Sequence, residues 1–401
     1  MMKKREVRQW WSIRWQHVDH RSSVTLFLVA LAGAYGMLFA SMLPALVEVW
    51  LVDLHLSERM AGLVATANVL AATFGLGLSI RLVSTWPLTR IAQLGIAAAF
   101  IGDLGSIAAA NVAELFLLRS VAGLGFGLLA GAMTNWFGRH EQAERGFGMS
   151  VMLQFVLAAL LFAAIPALQP WFGGASVYVA MLSLGAVAVI LHPLFNLNGG
   201  SAPLPPGAAT IDVGDGKSRA VRILAVLAFA LFELAVVGLW SYMLRYAELT
   251  GMSPASASRV LALSSLCGIP GTVLVLLLGS RYGKLWPLLA SLAVYAVPTL
   301  VFILVSGSSA VLISGLVLQN IAWAFAAPYF QAVQAGLDKT GRLAVWGMLV
   351  ASAGAGLGPA LLGAAIDERS FVVAFGVVIL MLGVSAMLVA RPAIVADRVG
   401  T

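Results

Sequence analysis

The chain is a succession of long apolar segments, and one polar interval rich in Pro and Gly, residues 196–222, divides it into two nearly equal halves. Most segments reach about 18 residues, the length that a helix needs to cross roughly 30 Å of hydrocarbon. We therefore predict twelve membrane spans, at 24–49, 58–81, 90–110, 113–135, 147–168, 174–195, 222–247, 255–279, 286–306, 309–334, 343–366 and 370–390.

The composition agrees with these spans. Apolar residues make up 61% of the chain and charged residues 10%, with a mean hydropathy of +0.96. A water-soluble domain with such values would expose large apolar patches. Because lipid offers the backbone no hydrogen-bond partner, uninterrupted apolar runs must be helices. The expected fold class is an all-α membrane protein with twelve transmembrane helices in two pseudo-symmetric six-helix bundles.

The distribution of Lys and Arg predicts the orientation. Most of them fall before the first span, in alternate loops and after the last span, which by the positive-inside rule places both termini in the cytoplasm. The expected organisation is a basic, Trp-rich interfacial segment 1–21, an N-terminal bundle 22–195, a cytoplasmic linker 196–221, a C-terminal bundle 222–391 and a cytoplasmic tail 392–401. The first segment has a second interpretation, a disordered basic tail, and we expect the first span to be retained rather than cleaved.

Several function classes lack support in the sequence. The net charge of +7 follows from the topology, so we expect no nucleic-acid partner. Cys267 is the only cysteine and the five histidines are scattered, so we expect neither a metal site nor a cofactor. A membrane-embedded enzyme would need a nucleophile with a base, an acidic cluster or paired histidines at a membrane face, and the sequence has none of these.

An internal repeat relates the two halves. Trp86-Pro87-Leu88 follows the second span, and Trp286-Pro287-Leu288 follows the eighth, 200 residues later; Arg81 and Arg281 match at the same offset. Since each half has six spans, the copies have the same orientation and are related by an axis along the membrane normal. Two such bundles can rock about a central site, which favours transport by alternating access.

Three short motifs resemble those of the major facilitator superfamily. They are 119–127 in the fourth span, 279–284 after the eighth and 354–359 in the eleventh. The resemblance extends from Val24 to Ala390. It implies a monomeric secondary transporter without enzymatic activity, in an inner (plasma) membrane of bacterial type, with a small-molecule substrate.

The resemblance also assigns a gating loop and contains departures. Arg81, Arg281, Gly283 and Lys284 correspond to the basic loop of the superfamily, in which an aspartate usually precedes the arginine. Ser280 stands at that position here, and 79–83 has neither the acid nor the glycine. Both loops therefore lack the acidic residue of the charge latch that is associated with this motif. The fifth span also lacks the Gly-Pro signature of drug/proton antiporters.

Charged residues deep in the spans are the main functional candidates. Placing a charge there costs at least about 2.5–3.5 kcal/mol, so Asp103, Arg119 and Glu233 should face a cavity or each other. Their depths are similar, and in the superfamily the first, fourth, seventh and tenth helices line the cavity, so Arg119 and Glu233 would face each other. The predicted substrate-binding residues are Tyr35, Arg119, Glu233, Trp240, Gln319, Asn320, Trp323 and Tyr329, and the predicted proton-coupling residues are Asp103, Arg119 and Glu233.

These candidates also have structural interpretations. Arg119 can pair permanently with Asp103, the aromatic residues can serve as packing, and Gln319 and Asn320 are adjacent and cannot share one helical face. The glycines of the fourth and eleventh spans suit close helix packing. Glu48 and Glu114 lie near span ends, where we expect them to be solvated.

The sequence thus predicts a secondary active transporter that moves a small organic solute and is driven by protons. Burial favours the neutral form of a carboxyl and a nearby cation the charged form, so a proton and a substrate could compete for one charge layer or occupy it together, as in symport. The planar guanidinium of Arg119 slightly favours an organic or aromatic acid as substrate. The alternatives are drug or multidrug efflux and lipid translocation on the same fold.

Overall fold

The computed structural model describes residues 23–137, 143–191, 216–279, 281–305, 307–338, 342–368 and 370–399, and these residues are almost entirely helical. The segment 1–21, most of the linker 196–221 and the end of the tail lie outside them. The α-helices are α1 Ser23–Ser41, α2 Leu43–Val52, α3 Glu58–Leu82, α4 Leu88–Ile107, α5 Val112–Phe137, α6 Ala143–Phe172, α7 Ser176–Leu191, α8 Gly216–Trp240, α9 Met243–Leu249, α10 Pro254–Leu266, α11 Gly268–Leu278, α12 Leu285–Leu304, α13 Ser309–Leu337, α14 Arg342–Glu368 and α15 Phe371–Val399.

Eleven stretches of the described chain are long and apolar enough to cross a membrane. One of them, Arg145–Leu191, has 47 residues and contains both α6 and α7, joined by the 3-10 turn Gly173–Ala175. It covers two of the predicted spans. Each of the twelve predicted spans therefore overlaps with helix in the described chain.

Three predicted spans are interrupted, and a proline accounts for two of the breaks. The first breaks at Met42, where Pro44 supplies the first turn of α2 and cannot donate a backbone hydrogen bond. The seventh breaks in a turn at Ser241. The eighth breaks at Cys267, because Pro270 removes the N–H that would bond back into α10. All three helices contribute to the contact between the two halves.

Helices α1 to α7 form one bundle and α8 to α15 the other. In the first, α5 packs against both α3 and α4; in the second, α8 packs against both α14 and α15. The halves meet where α3 packs along α14 and where α6 packs along α10, whereas α6 has few contacts with α11. The two repeated Trp-Pro-Leu motifs lie at the same place in each half, at the start of α4 and of α12.

Glycines set the closest helix contacts, as the sequence predicts. A Cβ on Gly123 or Gly127 of α5 would overlap the backbone of α3 at Asn68 or Ala72. In the second half, a Cβ on Gly354 of α14 would overlap the backbone of α8. Small residues let the helix backbones approach, and van der Waals packing then replaces the hydrophobic effect that lipid cannot supply.

We expect Gly127→Ala to lower the free energy of unfolding by about 1–3 kcal/mol, because the new methyl group forces α5 away from α3. The measurement is the thermal unfolding of the detergent-solubilised protein. Gly383→Ala is the matched control, since a Cβ at this glycine of α15 meets nothing within 4 Å. An equal loss of stability in both variants would contradict this role for Gly127.

Candidate substrate and proton site

A fully buried ion pair lies inside the first half. Arg119 of α5 and Asp103 of α4 are both 0% exposed, and the Arg119 NH2 group donates to Asp103 Oδ1 at 2.8 Å. The guanidinium lies 5.7 Å from the ring centroid of Tyr178, whose hydroxyl accepts a 2.7 Å hydrogen bond from Trp50 Nε1. The pair joins two neighbouring helices of one bundle, and no described contact joins Arg119 to Glu233.

The second half repeats this arrangement with neutral groups. Gln319 of α13 stands 200 residues after Arg119, and its amide donates to the hydroxyl of Thr299 on α12 at 3.0 Å. Gln319 is 3% exposed. The corresponding pair of helices in each bundle is therefore joined by a buried polar contact, and the duplication predicted from the Trp-Pro-Leu repeat extends into the cores of both halves.

Glu233 lies in a different environment, at the junction between the halves. Its Oε1 accepts a 3.2 Å hydrogen bond from Trp323 Nε1 on α13. No basic side chain of the described residues is within ion-pair distance of this carboxylate. The Trp323 ring meets Phe155 of α6 edge to face, with 6.0 Å between the centroids. The indole of Trp323 thus lies between the Glu233 carboxyl group and the first half.

Trp240 makes a second contact across the junction. Its Nε1 donates to the carbonyl of Ser41 in α1 at 3.0 Å, and its ring meets Phe162 of α6 edge to face at 6.3 Å. Phe155 and Phe162 are seven residues apart on α6, as Glu233 and Trp240 are on α8, so each pair shares one helical face. We call Phe155, Phe162, Glu233, Trp240 and Trp323 the junction cluster.

Beyond Trp240, polar contacts hold the halves together at one end of the molecule, here called the closed end. The Tyr242 hydroxyl donates to the carbonyl of Glu58 in α3 at 2.8 Å and lies 3.0 Å from that of Pro359 in α14. Arg245 of α9 pairs with Glu48 of α2 at 3.8 Å. Glu48 is only 7% exposed, so the expectation that it is solvated was wrong: the break in the first span turns α2, and Glu48 with it, towards α9.

Three further predicted substrate residues, Tyr35, Asn320 and Tyr329, contact groups outside the junction cluster. Tyr35 is 2% exposed, and its ring packs edge to face on Phe126 of α5, within the first half. The Asn320 amide bonds to the carbonyl of Leu316 on its own helix at 2.9 Å. The Tyr329 hydroxyl donates to the carbonyl of Gly279, at the end of α11, at 2.7 Å.

The predicted gating loop is held by a residue that the sequence did not single out. Asp397 of α15 accepts from the backbone N–H of Lys284 at 2.8 Å and lies 3.4 Å from that of Leu285, so it caps the start of α12 from another helix. Lys284 Nζ also lies 3.4 Å from Asp397 Oδ1. Gly283 has φ 67°, a conformation that favours glycine. The side chains of Arg81 and Arg281 are exposed.

Asp397→Ala is expected to cost about 1 kcal/mol of stability, since the first N–H groups of α12 lose their acceptor. Asp397→Asn keeps an acceptor oxygen and should retain most of that stability. Thermal unfolding of the two variants beside Arg281→Ala, an exposed control in the same loop, checks this. Equal melting temperatures for Asp397→Ala and Arg281→Ala would show that the cap contributes nothing.

Several contacts were missed because they join residues far apart in sequence. Phe155 and Phe162 look like ordinary apolar residues of a span, and Trp50 gives no sign of its bond to Tyr178, 128 residues away. The spacing of seven between these two Phe residues was the one signal available in the sequence for the part of the junction cluster that α6 contributes.

The sequence and the fold both match known transporters. The family model of the Major Facilitator Superfamily matches residues 26–359. The fold is similar to the nucleoside transporter NupG (TM-score 0.70, 15% identity, 93% of this chain and 99% of that one) and to a D-xylose-proton symporter (0.69, 12%, 91% and 95%). It is also similar to a bacterial homologue of the human lysosomal transporter Spinster in an inward-facing, occupied conformation (0.71, 15%, 95% and 97%). No protein of curated function has a sequence that matches this chain.

The chain belongs to the major facilitator superfamily, because the family model covers most of its length. It is an integral membrane protein and a secondary transporter with a small-molecule substrate, and it is not an enzyme. The structural matches named above are below 25% identity and establish the fold alone.

Proposed function

We propose that this protein is a proton-coupled transporter that works by alternating access around the junction cluster, with Glu233 as the group that carries the proton. The single observation that carries the proposal is the position of Glu233, a buried carboxyl without a basic partner among the described residues, at the contact between the two rocking halves. Such a group exchanges its proton when the halves move and its surroundings change from buried to hydrated.

The closed end supports alternating access. Polar bonds from Glu48 and Glu58 to the second half lie beyond Trp240 on one side of the junction cluster, while α6 has few contacts with α11 on the other side. If both termini are cytoplasmic, as the Lys and Arg distribution predicts, the closed end faces outwards and the cluster is reached from the cytoplasm. Opening this end breaks, among the described contacts, the Tyr242 hydrogen bond to Glu58 and the ion pair of Arg245 with Glu48.

The ion pair of Arg119 with Asp103 has a positioning role in this proposal. The two charges pair with each other within one bundle, although Arg119 Nε and Nη1 and Asp103 Oδ2 are buried without a hydrogen-bond partner, and the neutral pair at Gln319 and Thr299 joins the corresponding helices of the other. The sequence favoured an organic acid as substrate on the assumption that Arg119 contacts it. Because Arg119 is paired with Asp103 inside one bundle, the geometry gives an acidic substrate less support. Drug efflux remains compatible with the junction cluster; no described contact specifically favours lipid translocation.

The test is transport by the purified full chain in proteoliposomes. A compound identified by its stabilisation of the protein against heat is offered with and without a pH gradient. We expect accumulation that requires the gradient and stops with a protonophore. Accumulation that is independent of pH and persists with the protonophore would contradict proton coupling.

A further inference from the structure

We infer that the junction cluster binds an organic cation with an aromatic or apolar body, and that Glu233 releases its proton as the cation enters. This inference rests on the proposed function and deepens it, since it gives the substrate class of the same site. It predicts exchange of a cation for a proton. A substrate carboxylate held by Arg119 is the competing arrangement.

The first argument is the charge around Glu233. The helices packed against α8 are α13, α14 and α15. The ionisable residues of α14 (Arg342, Asp367 and Glu368) and of α15 (Arg391, Asp397 and Arg398) lie near the ends of these helices, and α13 has no Asp, Glu, Lys, Arg or His. Among the described residues, Tyr295 of α12 is a further titratable group near Glu233, and a phenol brings no positive charge to it.

An anion in this position would therefore meet a carboxylate without any cation to offset the repulsion. A cation is instead attracted to the Glu233 carboxylate and forms a buried charge pair with it. The positive charge of the cation replaces that of the departing proton, so the site stays electrically neutral. Arg119 does not alter this balance, because its guanidinium is bonded to Asp103, at 0% exposure, inside the first bundle.

The second argument is what the aromatic residues still offer to a ligand. Trp323 Nε1 is bonded to Glu233 and Trp240 Nε1 to the Ser41 carbonyl, so neither indole has a free polar edge. The ring faces of Trp240 and Trp323, which are both partly exposed, remain for the substrate, whereas Phe155 and Phe162 are 5% and 0% exposed and pack against the indoles. A cation within about 6 Å of an aromatic face is attracted by the ring quadrupole, most strongly by Trp. A carboxylate lined by aromatic rings is thus suited to bind a weakly hydrated cation.

The test compares two ions of nearly equal size and opposite charge, tetraphenylphosphonium and tetraphenylborate, on the purified full chain. We expect saturable binding of tetraphenylphosphonium only, tightening by up to about ten-fold per pH unit as Glu233 is deprotonated, with proton release seen by a pH dye in weak buffer. Glu233→Gln should weaken this binding at least ten-fold and remove its pH dependence. Trp323→Leu should weaken it about five-fold, and Glu114→Gln, at the exposed start of α5, should leave it unchanged.

The outcomes separate this inference from the proposed function. Saturable binding of tetraphenylborate, of neither ion, or of tetraphenylphosphonium with equal strength in Glu233→Gln would each overturn the cation site. Accumulation of another compound by the pH gradient would then leave the proton-coupled function standing. A thermal unfolding transition that matches the unmodified protein shows for each variant that the fold is intact.

Discussion

Glu233→Gln is expected to abolish accumulation driven by a pH gradient while the exchange of substrate across the membrane continues at saturating concentration. The Gln side chain is of nearly equal size and keeps an acceptor oxygen for Trp323 Nε1, so the junction between the halves stays intact. What it loses is the ability to bind and release a proton. The measurement pairs gradient-driven uptake with counterflow in the same proteoliposomes, and we expect at least a hundred-fold loss in the first alone.

Glu114→Gln is the control for this experiment. Glu114 is exposed, and its carboxylate accepts hydrogen bonds from Ala110 and Asn111 at the start of α5, one of which the amide oxygen of Gln can preserve. It should transport as the unmodified protein does. Full gradient-driven accumulation by Glu233→Gln would remove Glu233 from the coupling mechanism, and loss of counterflow together with accumulation would indicate a broken site rather than an uncoupled one.

Arg119→Ala is expected to lower the free energy of unfolding by about 3–5 kcal/mol, because it leaves the buried carboxylate of Asp103 without its partner. Both side chains are 0% exposed, so water cannot replace the lost bond. Thermal unfolding in detergent should show a large fall in the melting temperature. Arg259→Ala, which removes an equal charge from an exposed position on α10, should change stability by less than about 0.5 kcal/mol.

The double variant Arg119→Met with Asp103→Leu distinguishes a positioning pair from a functional one. Replacing both charges with apolar groups of similar size removes the unpaired charge and should recover most of the stability lost by Arg119→Ala. If the pair only positions α4 against α5, the double variant also transports. A stable double variant without gradient-driven transport would instead give the pair a role in proton coupling.

The helices and their close contacts were predictable from local sequence. Apolar runs of membrane length indicated the spans, and the glycines of the fourth span indicated a close helix contact, which the structure places between Gly123 and Gly127 and the backbone of α3. The Trp-Pro-Leu repeat gave the duplication, which the polar pairs at Arg119 and Gln319 extend. Such features depend on the periodicity and the size of the residues in one helix, or on a match between corresponding positions of the two halves, and both can be recognised in the sequence.

The partners of the buried charges were less predictable. The sequence left open whether Arg119 pairs with Asp103 or faces Glu233, because similar depths in the membrane do not specify the direction in which a side chain points. The fold places Asp103 and Arg119 on packed neighbours, α4 and α5, and Glu233 against Trp323 of α13. Glu48 escaped the prediction for the same reason, since the break at Met42 changes the direction of α2.

The sequence by itself determined that this protein is a membrane-embedded helical bundle with two related halves, because the cost of burying backbone and charge in lipid allows a chain of this hydropathy few other structures. The tertiary structure alone decided which polar groups meet. The rotation and tilt of the helices decide whether Arg119 is bonded within one bundle. They also decide whether Glu233 lies between the two bundles with aromatic residues of α6 and α13. The contacts that set this rotation and tilt are formed by residues as far apart in the sequence as Phe155 and Trp323.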